Sequence, residues 1–328
     1  MKRSDDMKLL KILGAGALGF AVFMELGWSF FRLMVCTKKK KEGELQKKWS
    51  RFYHVKVNHP RGCGYEKEYE EGKAWCCEQE MEDCYIESVD GLLLHALYFP
   101  AENAKRIVML CHGYKGSSFG DFANIARFLH ENACSLLFID ERCCGESDGK
   151  YITFGAMEQL DIQEWAYYLA GRNKEQLPVY LYGESMGAAA VLMASGRTLP
   201  NQVRGFIADC GFRSMKEQLE GLARNWFHLK WIKLLLFRVD LFCGFVGGFR
   251  MKEADTIRAM QTNRRPVLFF HGEKDTYVDA DNTKHNYAIC RAPKELVLVP
   301  EARHLCSAYV AQDLYREKIM EFFEKYDG

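Results

Sequence analysis

The sequence predicts an α/β protein with a doubly wound, mostly parallel sheet. From Cys84 to the C-terminus, short apolar runs alternate with longer helical patterns, as expected for βαβ crossovers. One of these runs, Val179–Tyr182, leads through a glycine-flanked turn into a helix of small residues. With 328 residues, 48% hydrophobic content and a net charge of +1, the chain can bury a large core and gives no indication of nucleic-acid binding.

Residues 1–36 are predicted to be a membrane anchor. Ile12–Val35 is apolar enough and long enough for a spanning helix. Glu25 and Arg32 interrupt it, but they lie two turns apart near one end, where long side chains reach the interface. Trp28 also suits an interface. No small-residue cleavage site follows, so we expect an uncleaved single-pass helix, with an amphipathic surface helix as the alternative.

Basic residues follow the apolar segment and favour a cytoplasmic location for the rest of the chain. The run Lys38–Lys41 is reinforced by Lys47, Lys48 and Arg51. Thirteen cysteines without a C-x-x-C pair indicate reduced thiols and neither a zinc site nor a redox dithiol. The opposite orientation is the alternative, because a basic N-terminus before an apolar run also resembles an export signal.

Residues 37–83 are interpreted as a basic linker followed by one or two bracing helices. The pattern from Gly43 to Asp83 is polar and helix-like, and four aromatic residues are possible packing points: Trp49, Phe52, Tyr53 and Trp75.

Residues 84–328 are predicted to form the α/β domain. The first two strands form a hairpin around Asp90-Gly91. We predict strands at Cys84–Ser88, Leu92–Phe99, Arg106–Cys111, Cys134–Ile139, Val179–Tyr182, Val203–Asp209, Val267–His271 and Leu296–Val299. We predict helices at Phe119–Asn132, Met157–Leu169, Met186–Ser195, Asn282–Cys290 and from Ser307 onwards.

The turn after the fifth strand carries the strongest functional signal. Gly183-Glu-Ser-Met-Gly187 matches the G-x-S-x-G pattern of a tight strand-to-helix turn that exposes its central serine at the top of the sheet. Gly183 and Gly187 are expected where the backbone passes too close for a Cβ. Ser185 is therefore the candidate nucleophile.

Further motifs follow one another in a characteristic order. They are Cys111-His-Gly-Tyr114, Asp140 with Arg142 and Gly145-Glu-Ser147, Gly183–Gly187, Phe206-Ile-Ala-Asp-Cys210, His271-Gly-Glu-Lys-Asp275 and His304. With these motifs the chain resembles the α/β-hydrolase superfamily from about Cys84 onwards, and more narrowly the membrane-anchored bacterial serine hydrolases of the prolyl-oligopeptidase-like and esterase group. Cys143-Cys144 departs from the residues common in one structural turn of that family.

This resemblance implies a catalytic triad in the order serine, acid, histidine. Ser185 would be the nucleophile, His304 its base, and Asp275 the acid that orients the imidazole. Glu273 and Asp209 are weaker candidates for the acid. The backbone amides of Tyr114 and Met186 would form the oxyanion hole. The side chain of His112 would shape its loop and take no part in the triad.

A long insertion, about residues 211–264, falls where the superfamily places a lid. It is rich in tryptophan, phenylalanine and leucine, but Lys233, Arg238 and Asp240 break the run too often for a second membrane span. Either the insertion binds the acyl group and contacts the membrane, or its helices pack on a core of their own.

The sequence therefore predicts a serine hydrolase that cleaves a carboxylic ester or related acyl bond through an acyl-enzyme, without metal or cofactor. The expected partners are a small acyl or ester substrate, which could be lipid-like, and the membrane. A serine peptidase of the same fold and a non-catalytic membrane-tethered scaffold are the alternatives.

Overall fold

A computed structural model of the chain describes residues 23–37, 64–227 and 232–328. In these residues eight strands form one sheet in the order β1-β2-β4-β3-β5-β6-β7-β8, which is mostly parallel; only β2 runs antiparallel to its neighbours β1 and β4. The strands are β1 (Glu82–Glu87), β2 (Leu93–Phe99), β3 (Arg106–Cys111), β4 (Cys134–Ile139), β5 (Val179–Glu184), β6 (Val203–Asp209), β7 (Val267–Gly272) and β8 (Lys294–Val299). The predicted strands are confirmed, with small shifts at their ends.

Helices cover both faces of the sheet. Those outside the insertion are α1 (23–34), α2 (Glu66–Cys77), α3 (Ser118–Asp121), α4 (Ala126–Glu131), α5 (Glu158–Arg172), α6 (Met186–Ala194), α10 (Asp281–Ile289), α11 (Ser307–Val310) and α12 (Gln312–Tyr326). The single helix predicted over Phe119–Asn132 is wrong, because α3 ends at Asp121 and the chain turns before α4 begins. The last predicted helix is likewise divided into α11 and α12.

The central strands are buried on both faces, as their unbroken apolar sequences require. All six residues of β3 are buried. Met109 belongs to the core that β3 shares with α5 and α6, whereas Val108 and Leu110 belong to the core on the other face, with α4 and α12. The sheet is thus a rigid platform, and the loops at the carboxyl ends of its strands are held in fixed positions.

The end of the predicted membrane helix is part of the folded domain. In α1 and the residues after it, Phe31, Met34 and Val35 are buried against protein. Ile152 donates a 2.8 Å hydrogen bond to the Val35 carbonyl. Residues 23–35 therefore pack partly against the domain, although Leu26 on the same helix is exposed. The membrane-helix interpretation of Ile12–Val35 stays a prediction.

No helix in the described ranges 23–37, 64–227 and 232–328 is long and apolar enough to cross a membrane. Residues 12–22, the other half of the predicted anchor, lie outside these ranges, as do Lys38–Lys41. The cytoplasmic location of the catalytic domain stays a prediction.

Helix α2 braces the outer edge of the domain. The Trp75 ring lies edge-on to Phe99, with ring centroids 5.9 Å apart, and Tyr69 is buried beside Ala123 and Tyr309. The other three aromatic residues proposed for this region, Trp49, Phe52 and Tyr53, lie outside the described residues.

The insertion between β6 and β7 packs one apolar side against the domain. Its elements are α7 (Met215–Phe227), α8 (Ile232–Phe242), a π-helical turn (Cys243–Gly247), a 3₁₀ turn (Met251–Glu253) and α9 (Ile257–Thr262). In α8, Ile232, Leu236 and Val239 are buried at helical spacing, whereas Leu234 and Phe237 are exposed. The Arg238 guanidinium donates to the Phe23 carbonyl and covers the Phe23 ring, so α8 also packs against α1.

Candidate active site

The turn from β5 into α6 holds Ser185 in a strained conformation. Its φ and ψ angles are 55° and −115°, a backbone conformation that residues other than glycine rarely adopt. A Cβ on Gly183 would lie 2.3 Å from the Gly187 carbonyl oxygen, and one on Gly187 would lie 2.0 Å from that of Cys111. Only glycine fits at these two positions, and the close approach keeps the serine at the carboxyl edge of the sheet.

Three predicted side chains form one hydrogen-bonded line. Nε2 of His304 lies 2.9 Å from Oγ of Ser185, and Nδ1 of His304 lies 2.6 Å from Oδ2 of Asp275. The Asp275 carboxylate can only accept a hydrogen bond from Nδ1. Nδ1 therefore carries the proton, and the Nε2 lone pair faces the serine hydroxyl. This is the tautomer that a histidine needs in order to take a proton from serine.

The carboxylate of Asp275 is fixed from several sides. Its Oδ1 accepts hydrogen bonds from the backbone N–H groups of Tyr277 and Val278, at 2.8 and 2.9 Å. Its Oδ2 also lies 3.3 Å from Nε2 of His271. Burial alone would raise the pKa of Asp275, but the charges and hydrogen bonds of His304 and His271 lower it below its usual range. Asp275 is therefore an anion at neutral pH.

The other two carboxylates proposed for the acid are placed differently. Glu273 is exposed, on the solvent side of the loop that follows β7. Asp209 is buried but accepts from Ser307 Oγ at 3.3 Å and from Tyr315 Oη at 3.0 Å. The shortest carboxylate contact of His304 is with Asp275.

The loop after β3 lies directly beside the serine. A Cβ on Gly113 would be 3.1 Å from Cβ of Ser185, and the Gly113 N–H is held by Oδ2 of Asp121 at 2.6 Å. His112 shapes this loop: its Nδ1 donates to the Gly113 carbonyl at 2.8 Å, and its Nε2 accepts from the Glu141 N–H at 3.1 Å. The backbone of Tyr114 follows at once, and Met186 opens α6 on the other side of Ser185.

Two buried carboxyl groups lie behind the nucleophile. Oε1 of Glu184 accepts from Tyr182 Oη at 3.3 Å, and Asp209 lies nearby in the same buried region. Burial raises the pKa of both Glu184 and Asp209, and their mutual repulsion raises that of Glu184 further. Burial therefore disfavours a negative charge on Glu184, next to Ser185 in the chain.

Apolar side chains cover the site. Ser185 is 3% exposed and His304 is 1% exposed. The ring of Tyr114 stacks on that of Phe154 with centroids 5.2 Å apart, and the Tyr277 ring lies edge-on to His304 at 4.9 Å. The cluster around these rings also contains residues of α1, α6 and the insertion: Phe31, Met34, Met186, Phe212, Met215, Leu236 and Val239.

Two residues that lie against the site were not assigned a role from the sequence. His271 contacts the Asp275 carboxylate, and Cys210 lies with Asp275 and His304 in one buried cluster. His271 lies near the end of β7, and Cys210 directly follows β6. The carboxyl ends of neighbouring parallel strands meet at one edge of a sheet. That rule, applied to β6 and β7, would have placed them beside the triad candidates.

The strand order, the strained serine turn and the Ser–His–Asp line together define an α/β-hydrolase fold. A family profile described as "Serine aminopeptidase, S33" matches residues 102–241, which include Ser185 but not Asp275 or His304. The chain therefore has the α/β-hydrolase fold, and the family profile matches its central part.

Relatives in sequence are similar over most of the chain. "Uncharacterized protein YqkD" of Bacillus subtilis is 25% identical over 313 residues, which cover 95% of this chain and 96% of that protein. "Alpha/beta hydrolase domain-containing protein WAV2" of Arabidopsis thaliana is 26% identical over 265 residues, covering 75% and 79%.

Solved structures show the same fold. The Pyrococcus furiosus esterase Pf2001 superposes with a TM-score of 0.63 at 21% identity, covering 76% of this chain and 92% of that one. Est1E from Butyrivibrio proteoclasticus, solved with bound ferulic acid, gives a TM-score of 0.55 at 18% identity, covering 74% and 98%. At these identities the similarity extends to the fold alone.

Proposed function

We propose that this protein is a serine hydrolase that cleaves carboxylic esters through an acyl-enzyme. The observation that carries the proposal is the buried line from Ser185 through His304 to Asp275, with distances of 2.9 and 2.6 Å. A serine hydroxyl is a weak nucleophile unless a base lies within hydrogen-bond reach, and His304 meets that condition.

In the proposed reaction, Ser185 Oγ attacks the ester carbonyl while Nε2 of His304 takes its proton. The imidazolium that forms is stabilised by the Asp275 anion at Nδ1. Nε2 then returns the proton to the leaving alcohol, and the acyl group stays on Ser185. A water molecule activated by the same histidine hydrolyses the acyl-enzyme, so the enzyme returns to its starting state.

The developing oxyanion is proposed to bind the backbone N–H groups of Tyr114 and Met186. The first group is on the loop that touches Ser185 at Gly113, and the second is in the first turn of α6. The positive end of the α6 dipole favours negative charge at the same place. Removing one such donor costs about 10²–10³-fold in kcat in other acyl-transfer enzymes.

The surroundings of Ser185 favour an ester with an apolar acyl group. Aromatic and methionine side chains line the region, including Tyr114, Phe154 and Met186. Neighbouring structures described as esterases support the same substrate class. We propose that α1 and the insertion together form a lid over the acyl group, because both contribute buried side chains to the apolar cluster that contains Tyr114 and Met186.

An aminopeptidase is the second candidate, because the matching family profile carries that description. Such an enzyme needs a carboxylate to bind the substrate's α-amino group. Near Ser185, burial raises the pKa of Glu184, Asp209 and Asp121 and so disfavours their charged forms, and Asp275 is paired with two histidines. This charge arrangement favours the esterase.

The proposal is tested with a fluorophosphonate probe, a series of p-nitrophenyl esters and a series of aminoacyl p-nitroanilides. The wild-type protein should label and hydrolyse esters far faster than anilides. Ser185→Ala should lose labelling and at least about 10⁴-fold in kcat, whereas Ser117→Ala, in a neighbouring loop, should retain both. Full turnover by folded Ser185→Ala would overturn the assignment, and preference for anilides would favour the aminopeptidase.

A further inference from the structure

Cys210 brings a third metal-binding group to Asp275 and His304. One ligand atom from each of the three residues lies within 4.8 Å of the other two, and all three residues are buried. The sulfur is held in place because the Cys210 N–H donates to the Phe270 carbonyl at 3.0 Å and the Leu305 N–H donates to the thiol. We propose that these three residues form an inhibitory site for Zn²⁺.

The ligand set suits zinc. Thiolate, imidazole and carboxylate are its three usual protein ligands, with bonds of about 2.0–2.3 Å, so tetrahedral ligands lie about 3.4 Å apart. The three ligand atoms lie within 4.8 Å of one another, so they must approach by at most about 1.4 Å to share one ion. Zinc would take the place of the 2.6 Å His304–Asp275 hydrogen bond, so these two atoms must move apart by just under about 1 Å.

Charge balance also favours a divalent cation. Before binding, Asp275 supplies a negative charge, and burial raises the pKa of the Cys210 thiol, which therefore carries its proton. When the Zn–S bond forms, the thiol proton leaves to solvent, so a thiolate and a carboxylate balance the two charges of the ion. A buried ion is tolerated only when it is compensated in this way.

Zinc at this site would block ester hydrolysis, and this inhibitory effect rests on the proposed function. The nitrogen that faces Asp275 is Nδ1, so the metal takes the Nδ1 lone pair and the imidazole proton moves to Nε2. Nε2 then has no lone pair with which to accept the Ser185 proton. Zinc binding and serine activation thus exclude each other.

The first test measures ester hydrolysis by the full chain in buffered free Zn²⁺. Inhibition should be reversed by a chelator. With the rates of each variant expressed relative to its own uninhibited rate, Cys210→Ser should raise the half-inhibiting zinc concentration at least tenfold over that of wild type. Cys306→Ser, at another buried thiol two residues after His304, and Cys77→Ser, at an exposed one, are the matched controls and should stay within about twofold. If Cys210→Ser is as sensitive as wild type, the site does not exist.

The second test does not depend on activity. Cd²⁺ added to the Ser185→Ala protein should give the ultraviolet thiolate-to-metal absorption at one equivalent, and the same protein with Cys210→Ser should lose it. If the esterase proposal fails, this binding result still decides the metal site. Cys210→Ala serves if the serine variant does not fold, and an unchanged absorption in it would overturn the proposal.

Discussion

The phenolic hydroxyl of Tyr114 donates a 2.8 Å hydrogen bond to the main-chain carbonyl of Met34. The residue whose backbone is proposed to bind the oxyanion is thereby attached to the end of α1. Lys115 reinforces this connection through a 3.2 Å bond from Nζ to the Leu33 carbonyl. A segment that the sequence presents as an anchor thus holds a wall of the candidate active site.

Tyr114→Phe should lower the free energy of unfolding, because the buried Met34 carbonyl loses a donor. The expected cost is about 1–3 kcal/mol, measured by urea denaturation. The kcat should fall less than in Ser185→Ala, since the backbone N–H of residue 114 remains. Tyr85→Phe, at an exposed tyrosine, is the control. Equal stability of Tyr114→Phe and wild type would mean that α1 is not held at this point.

Asp275→Asn should lower kcat by about 10⁴-fold, because an amide cannot hold the Nδ1–H tautomer of His304 or stabilise its cation. Glu273→Gln, two residues earlier and exposed, should have no effect. Ester hydrolysis at saturating substrate measures kcat for both variants. A severe loss in Glu273→Gln with an active Asp275→Asn would show that the wrong carboxylate has been assigned.

His271→Gln should cost stability in a pH-dependent way. Burial opposes the charged form of His271, but the hydrogen bond to Asp275 raises its pKa above the usual 6.5. A raised histidine pKa stabilises the fold fully below the unfolded-state pKa, and this contribution is lost as pH rises through the folded-state value.

The difference in unfolding free energy between wild type and His271→Gln should therefore be largest near pH 5.5 and smaller near pH 9. Besides Asp275, the imidazole contacts Thr283 Oγ1 at 2.7 Å and the Val278 carbonyl at 2.9 Å, and Asp209 adds negative charge nearby. Urea titrations at both pH values measure the difference. A difference that grows with pH would show that His271 is neutral in the native protein.

Phe154→Ala should reduce kcat/KM for long acyl chains more than for acetyl esters. Phe154 is buried and stacks on Tyr114, and losing its apolar contact with an acyl chain removes about 1.5–3 kcal/mol, or roughly 10–100-fold. Phe154→Leu provides a milder change in case the alanine variant is unstable. Phe237→Ala, on the outer face of α8, is the control because its ring is 58% exposed. Equal losses for short and long esters would assign Phe154 a packing role only.

Strands and the serine turn were predictable because local signals determine them. The run Val179–Tyr182 is apolar throughout, and Gly183 and Gly187 mark positions where no Cβ fits. The choice of Asp275 over Glu273 needed the family resemblance, since both follow β7. Which of the two is buried depends on how the loop turns, and no local pattern encodes that.

The packing of the N-terminal helix against the domain was not foreseen because hydrophobicity does not identify its partner. Phe31 and Val35 are as apolar as a lipid-facing side chain, yet protein covers them. The break between α3 and α4 was missed for a similar reason: the sequence over Phe119–Asn132 keeps helical spacing across a turn. The positions of Cys210 and His271 beside Asp275 depend on the order of strands in the sheet, which follows from long-range pairing.

The packing of α1 against α8 has a consequence for how the protein is made. Arg238 and Phe23, which hold the two helices together, are 215 residues apart in the chain. At about 5–20 residues per second, a ribosome needs roughly 10–40 s to synthesise the intervening residues. During that interval α1 can already contact Tyr114, Tyr151 and Ile152, but its contact with α8 waits until Arg238 has been made, so this contact is among the later ones to form.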